Sequence, residues 1–197
     1  MYEMMIDLET LDTKPSAVVL SIGAVVWETF VDDTGHLAWK ALDRFIRVLD
    51  IQKQLDRRRT VSQSTLLWWQ DQSSAAKAEA FNSVRQPVLT SLVDFHDFAA
   101  NNRNVPGDPI SVFWASPVAF DLPIWEDLAM TFGGCVPWKY NQRYDVRTVI
   151  REACYSADGH VHFHNIGGVP HTPVFDCEWQ ISLLTAARDK AKRRVAS

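Results

Sequence analysis

The sequence predicts an α/β fold, a mixed five-stranded sheet flanked by helices, in a single domain spanning residues 1–197. Three strand-like segments joined by short links open the chain, which indicates an antiparallel meander. After Asp50, helical segments alternate with two further strand-like segments, a pattern typical of a sheet covered by helices. A chain of 197 residues, 47% of them hydrophobic, is also long enough to bury one sizeable core.

The five predicted strands differ in their expected burial. The first covers residues 2–9. The second covers 17–27, which is nearly all apolar and rich in β-branched residues, as expected for a strand buried on both faces. The third, at 44–48, alternates between apolar and charged residues. Two short strands are predicted at 110–114 and 136–140, the latter at an edge of the sheet.

Helical segments are predicted from apolar residues at helical spacing, from helix-forming composition and from capping residues. They cover residues 51–58, 62–72, 73–82, 86–101, 122–132, 145–155 and 173–190. Gly133 and Gly134 end the fifth of these segments, and Asp145 is a predicted N-cap for the sixth. Loops are expected at 101–109 and 156–169.

Composition and charge argue against several classes of protein. No run of 18 apolar residues is present, so neither a membrane span nor a membrane partner is expected. The strand predicted at the N-terminus leaves no room for a signal peptide, and three cysteines without C-x-x-C spacing indicate reduced thiols, so a cytoplasmic location is expected. A net charge of −4 disfavours nucleic acid as a partner, although acids that bind metal lower the pI without repelling phosphate.

Asp7 and Glu9 are the first candidate site residues. They follow the apolar residues of the first strand with one residue between them, so both side chains project from the same face. Two ionised carboxylates this close repel each other, and burial strengthens the repulsion. A divalent cation relieves it, and such oxygen ligands suit Mg²⁺ or Mn²⁺. The alternative is a strand end with two solvated acids.

Asp121, His171 and Asp176 are the other candidates. Asp121 opens a helix directly after a buried strand, where open α/β sheets place their sites, although an ordinary N-cap is the alternative. Thr172 and Pro173 mark a helix start, which puts His171 on the preceding loop and Asp176 in the first turn. The two groups can therefore point to one place. The alternative is a structural histidine near an acid.

Three motifs occur along the chain in the order M-I-D-L-E-T, F-D-L-P and H-x-x-x-x-D. In this order they resemble the motifs of the DEDDh superfamily of 3′–5′ exonucleases, which includes RNase T and the proofreading subunit of DNA polymerase III. The phrases W-W-Q-D-Q, F-D-L-P-I-W and Y-D-V-R-T are most similar to the Rv2179c-like, RNase T-related branch of bacteria and phages. The resemblance covers nearly the whole chain, and it implies a ribonuclease H-like fold.

The resemblance also implies a metal-dependent exonuclease. Two divalent ions, Mg²⁺ or Mn²⁺, are expected to bind Asp7, Glu9, Asp121 and Asp176, with Asp7 shared between both ions. His171 is expected to take the proton from the attacking water, since histidine side chains titrate near neutral pH. The expected substrate is the 3′ end of single-stranded RNA or DNA, and the expected product is a nucleoside 5′-monophosphate.

Further contacts are implied by the resemblance or left open by the sequence. Backbone amides at Thr10 and Leu11 are expected to contact the terminal sugar, and the Leu11 side chain is expected to contact the last base. Trp68 and Trp69 diverge on a predicted helix, so one is expected in the core and the other is a candidate for stacking on the substrate. Three basic groups can each contact phosphates, although solvated faces are the default interpretation: Arg57, Arg58 and Arg59; Arg143, Arg147 and Arg151; and the residues from Lys190 to Arg194.

Other functions also remain open at this point. The same fold can serve as a non-catalytic nucleic-acid or nucleotide-binding module, or as a phosphoesterase of short oligonucleotides. RNA is favoured over DNA, but the motifs do not separate the two. A homodimer is suggested by relatives. His160, His162 and His164 alternate without thiolate or acid partners, which disfavours a zinc site.

Overall fold

Five strands form one sheet at the centre of the fold. They are β1 Glu3–Thr10, β2 Val19–Val31, β3 Leu37–Val48, β4 Phe113–Ala115 and β5 Arg143–Asp145. Their order is β3-β2-β1-β4-β5. β2 is antiparallel to both of its neighbours, whereas β4 is parallel to β1 and β5 is parallel to β4. The predicted α/β class and mixed five-stranded sheet are confirmed, and the arrangement is consistent with a ribonuclease H-like fold.

The computed structural model describes residues 2–100, 110–154 and 166–196, with side chains described as far as residue 193. The α-helices in these ranges are α1 Ile51–Asp56, α2 Gln63–Asp71, α3 Ser74–Lys77, α4 Val88–Ala100, α5 Val118–Phe132, α6 Val146–Cys154 and α7 Pro173–Ala196. A π-helical turn continues α3 over Ala78–Asn82, and a 3₁₀ turn at Tyr140–Gln142 precedes β5. None of the described helices is both long and apolar enough to cross a lipid bilayer.

The alternation of side chains along β1 decides what each face of the sheet buries. All residues of β1 are buried. On one face, the side chains that join the core beneath α4 and α5 are Met4, Ile6 and Leu8. Met5 points to the opposite face and packs in a second cluster with Cys177 of α7. Asp7 and Glu9 continue the face of Met5, so a hydrophobic surface beneath α7 becomes acidic towards the end of β1.

Gly23 allows the start of α7 to approach the sheet closely. This glycine pairs with Asp7 across β1 and β2. A Cβ atom built on Gly23 would lie 2.6 Å from the Cβ of Pro173, which is closer than real Cβ contacts. Because Pro173 begins α7, the absence of a side chain at Gly23 sets how near the first turn of α7 lies to Asp7.

Two strands differ from the sequence prediction. β3 begins at Leu37, well before the predicted start, because its first half pairs with β2 although alanine and lysine there have low strand propensity. The fifth strand is Arg143–Asp145, so the prediction of a strand at 136–140 is wrong. Trp138 is apolar and buried in that segment because it packs against Trp125 of α5, not because it belongs to a strand.

The remaining helix predictions are confirmed with shifted ends. α5 begins at Val118 rather than at residue 122, and α7 continues past residue 190. Asp145 is confirmed as an N-cap, because its Oδ1 accepts a hydrogen bond from the Thr148 amide at 2.9 Å. The loop at 101–109, most of the loop at 156–169, and the histidines weighed for zinc lie outside the described residues.

Candidate metal centre

Asp7 and Glu9 lie at the carboxyl end of β1, on the face covered by α7. They are only 9% and 6% exposed. Each pairs with a small residue of β2, Asp7 with Gly23 and Glu9 with Ser21. The small partners allow α7 to lie close to the two carboxylates, as the contact of Gly23 with Pro173 shows. The alternative of two solvated acids is wrong, since both residues are buried.

Asp121 is fixed beside these two acids by a backbone hydrogen bond. It is 2% exposed, and its Oδ1 accepts a hydrogen bond from the Leu8 amide at 3.0 Å. Because Leu8 stands between Asp7 and Glu9 in β1, the bond ties the first turn of α5 to the acidic end of the strand. The N-cap alternative for Asp121 is wrong, because Pro117 occupies the N-cap position of α5.

His171 and Asp176 meet where the loop enters α7. The predicted helix start is confirmed, since α7 begins at Pro173 and the Asp176 amide donates to the Thr172 carbonyl at 3.0 Å. The His171 amide donates to Asp176 Oδ2, also at 3.0 Å. His171 has a φ of +63°, a left-handed conformation that is uncommon for a residue with a side chain. This backbone turn and the bond to Asp176 hold the histidine beside the acids.

Burial raises the pKa of all four acids. Burial, and then the charges of Asp121, Glu9 and Asp176, raise the pKa of Asp7 well above its usual value. Burial and the neighbouring acids raise the pKa of Glu9 to about 8, and burial raises the pKa of Asp121 to about 7. Burial also raises the pKa of Asp176, while His171 lowers it. Each shift reflects the free energy needed to keep a negative charge there.

The adjacent tryptophans of α2 have different environments. Trp69 is 2% exposed, and its Nε1 donates to the Thr10 carbonyl at 2.9 Å, which anchors α2 to the end of β1. Trp68 is 41% exposed, and its ring meets the His171 ring edge-on, with ring centroids 4.7 Å apart. The sequence prediction of one core residue is confirmed, with Trp69 in the core and Trp68 beside the candidate site.

One cavity of about 1060 Å³ collects these side chains. The four acids line it together with His171 and Trp68. Among the described residues that line the cavity, Arg147 of α6 is the only lysine or arginine, and its charge lowers the pKa of Asp121. Arg143, the first residue of β5, instead pairs with Glu126 at 3.0 Å. Of the arginines weighed from sequence in this segment, Arg147 is therefore the one placed at the site.

Sequence reasoning missed two polar residues at the acidic cluster. The Nε2 atom of Gln180 donates to Asp7 Oδ1 at 2.9 Å, and this bond lowers the pKa of Asp7. The Ser21 hydroxyl, opposite Glu9, is buried without a hydrogen-bond partner among the described residues. Gln180 follows Asp176 by four residues on one helix, and Ser21 is a polar residue in an apolar strand. These two patterns were the available signals.

Thr10 and Leu11 are engaged within the protein. The Thr10 carbonyl accepts the bond from Trp69, and the Leu11 amide donates to the Val18 carbonyl at 2.8 Å. The Leu11 side chain is 5% exposed and packs in a cluster with Trp69. Contact of Thr10 and Leu11 with a terminal sugar or base stays a prediction, and it requires that Leu11 give up some of this packing.

The donor set fits hard divalent cations. One potential ligand atom from each of Glu9, His171 and Asp176 lies within 4.8 Å of the others, and Asp7 and Asp121 line the same cavity. In the described part of the chain, no lysine or arginine forms an ion pair with any of these acids. Carboxylate oxygens are preferred ligands of Mg²⁺ and Mn²⁺, and such a cation would offset the repulsion among them.

Comparison with known protein families gives an independent assignment. The family model of the Rv2179c-like 3′–5′ exoribonuclease domain matches residues 2–187, nearly the whole chain. A search of curated proteins finds no match. The matched region includes every candidate residue described above, and the family name denotes hydrolases that act on RNA. The chain therefore belongs to the Rv2179c-like family of 3′–5′ exoribonuclease domains.

Proposed function

We propose that this protein removes nucleoside 5′-monophosphates from the 3′ end of single-stranded RNA, with two divalent cations, Mg²⁺ or Mn²⁺, as cofactors. The observation that carries the proposal is the meeting of four carboxylates from β1, α5 and α7 in one cavity, where no described lysine or arginine forms an ion pair with any of them. Three separate elements contribute to it, and the raised pKa values indicate that the acids need positive charge. A merely structural cluster would be expected to form ion pairs with its own lysine or arginine residues.

Asp7, Glu9, Asp121 and Asp176 would hold the cations in this proposal. When bound, two divalent ions activate a water molecule for attack and stabilise negative charge on the phosphate and the leaving oxygen. The protein contributes the geometry. Asp7 and Glu9 are fixed by the pairing of β1 with β2, and Asp121 is fixed by its bond from the Leu8 amide.

His171 accepts the proton of the attacking water in this scheme. A histidine is suited to that task near neutral pH, and general-base catalysis requires that it lie within reach of the reacting water. The left-handed backbone at His171 and the bond from its amide to Asp176 hold the ring at the acids. The edge of the ring contacts Trp68, which restricts its orientation.

Arg147 and Trp68 give the cavity two ways to hold a nucleotide. The Arg147 guanidinium can bind a phosphate, since it faces no described carboxylate in an ion pair. The half-exposed Trp68 ring can stack on a base, a contact that tolerates any base and suits a non-specific exonuclease. We also propose a homodimer and a cytoplasmic location, which size-exclusion chromatography with light scattering and cell fractionation would test.

The test is incubation of the purified protein with 5′-labelled single-stranded RNA and DNA of the same sequence, with Mg²⁺ or Mn²⁺. A ladder that shortens from the 3′ end, with nucleoside 5′-monophosphate released, is expected, and RNA should be degraded faster than DNA. A circular strand of the same sequence should survive, because it has no 3′ end. Binding of RNA without cleavage would instead favour a non-catalytic module, and cleavage of circles at the linear rate would make the protein an endonuclease.

A further inference from the structure

Gln180 of α7 reaches the acid at the centre of the candidate site. It follows Asp176 by four residues, so both side chains lie on the same face of the helix. Its Nε2 atom donates to Asp7 Oδ1 at 2.9 Å, and the residue is 5% exposed. Among the described residues, Asp7 Oδ2 accepts no hydrogen bond. One oxygen of Asp7 is therefore held by the protein and the other is left available.

The second polar atom of the Gln180 amide, Oε1, also indicates what the residue does. When bound cations keep Asp7 ionised, its carboxylate only accepts hydrogen bonds, so the NH₂ group must face Asp7 and Oε1 must face away from it. Oε1 is buried and has no hydrogen-bond partner among the described residues, and Gln180 lines the cavity that contains the acids. A buried acceptor without a donor costs free energy. A donor supplied from within the cavity would satisfy it.

We propose that Gln180 is a positioning residue, which holds Asp7 Oδ1 so that Oδ2 is presented to the cations, and which accepts a hydrogen bond at Oε1 from a water molecule of the cation site. The inference rests on the proposed function, because it places Gln180 around the same cations. Groups that orient metal ligands in this way typically change metal affinity or activity by about 10–100-fold when they are replaced.

The test compares Gln180→Met and Gln180→Leu, which approximate the volume but lose the amide, with the control Thr185→Val. Thr185 is 4% exposed on the same helix, and its hydroxyl is also buried without a described partner. Mn²⁺ binding is measured by calorimetry on the protein without RNA. We expect binding about 10–100-fold weaker in both Gln180 variants, and unchanged binding in Thr185→Val. Turnover should fall while KM for RNA stays near the wild-type value.

A double-mutant cycle that combines Gln180→Met with Asp7→Asn separates a positioning role of Gln180 from a merely structural one. If Gln180 acts through Asp7, adding Gln180→Met to Asp7→Asn should weaken Mn²⁺ binding by less than twofold further. Wild-type Mn²⁺ affinity in the Gln180 variants would overturn the inference. So would loss of folding in both variants without Mn²⁺ while Thr185→Val folds, because Gln180 would then be structural. If the wild type itself neither binds Mn²⁺ nor cleaves RNA, the proposed function fails first.

Discussion

The two ends of β1 use the same chemistry in opposite ways. Glu3, Asp7 and Glu9 lie on one face of the strand, and all are less than 10% exposed. At the first end, Glu3 accepts hydrogen bonds from both terminal nitrogens of Arg188 at 2.7 Å and one from Trp114 Nε1 at 2.6 Å. At the other end, Asp7 and Glu9 have no basic partner among the described residues.

The comparison indicates which acids stabilise the fold and which ones serve a site. Burial, residue type and strand face are alike, so the difference lies in the counter-charge. The protein supplies its own cation to Glu3, whereas in the proposed function Asp7 and Glu9 receive theirs from solution. A buried carboxylate is tolerated only when it is paired or neutralised. Because of this difference, the two ends of β1 should respond to substitution and to pH in opposite ways.

The largest effect is expected from Asp7→Asn, which removes one charge at nearly constant volume. Cleavage of RNA in Mg²⁺ should fall to background, and Mn²⁺ binding by calorimetry should weaken strongly, because an oxygen ligand is replaced by an amide. The thermal unfolding midpoint of the metal-free protein should not fall, since removal of charge relieves repulsion from the neighbouring acids. Turnover at the wild-type rate would contradict the proposed cation site.

His171→Ala should give the next largest effect. Loss of a positioned proton acceptor typically lowers turnover by about 10²–10⁴-fold. If His171 acts on the proton and not as a ligand, Mn²⁺ affinity should stay close to wild type, and the acidic limb of the rate against pH should change. Paired measurements of Mn²⁺ binding and of turnover across pH decide between the roles.

The position of His171 makes this experiment necessary. A ring nitrogen lies within 4.8 Å of carboxylate oxygens of both Glu9 and Asp176, a distance that suits a ligand as well as a base. Asp176→Asn is the matched comparison, because it removes a proposed ligand from the same place. Equal loss of Mn²⁺ binding in the two variants would make His171 a ligand and would refute the proton-acceptor role.

Glu3→Gln tests the opposite end of β1. The substitution leaves the Arg188 guanidinium without its carboxylate, and loss of one partner of a buried ion pair should lower the free energy of unfolding by about 3 kcal/mol. Mn²⁺ affinity and turnover of the folded protein should be unchanged. Urea unfolding and Mn²⁺ calorimetry measure the two quantities. A weakened Mn²⁺ affinity comparable to that of Asp7→Asn would remove the distinction between the two ends.

Local rules explain which parts of the site the sequence could predict. Strand alternation placed Asp7 and Glu9 on one face, and capping residues placed Asp176 in a first helical turn; the structure agrees with both. Helical spacing could have placed Gln180 on the face of Asp176, but not its bond to Asp7, because Asp7 is 173 residues away and no local pattern reports a tertiary hydrogen bond. The convergence of the acids was expected from the family resemblance, not from spacing.

The errors in the fold have the same origin. A three-residue edge strand such as β5 has too few residues to show a period, so the sequence pattern favours the apolar residues nearby instead. The early start of β3 depends on its long pairing with β2, which outweighs the weak strand propensity of its first half. In both places, contacts between distant parts of the chain decide the structure.

A further effect is expected on the dependence of stability on pH without metal. In the unfolded chain the pKa values of Asp and Glu are about 3.9 and 4.3. In the folded protein, burial raises the pKa of Glu9 to about 8 and that of Asp121 to about 7. Between these values the folded state holds protons that the unfolded state has released. The free energy of unfolding therefore falls as pH rises from about 5 to 8.

The thermal unfolding midpoint of the metal-free protein should follow this fall, by about 2–4 °C for each kcal/mol lost. Saturating Mn²⁺ should restore the midpoint most strongly at the alkaline end, because cations and protons compete for the same carboxylates. Asp7→Asn should flatten the dependence, whereas Glu3→Gln should preserve it, since Arg188 neutralises Glu3 throughout this range. A metal-free midpoint that stays constant or rises from pH 5 to 8 would mean that Asp7 and Glu9 are already compensated by the protein, as Glu3 is.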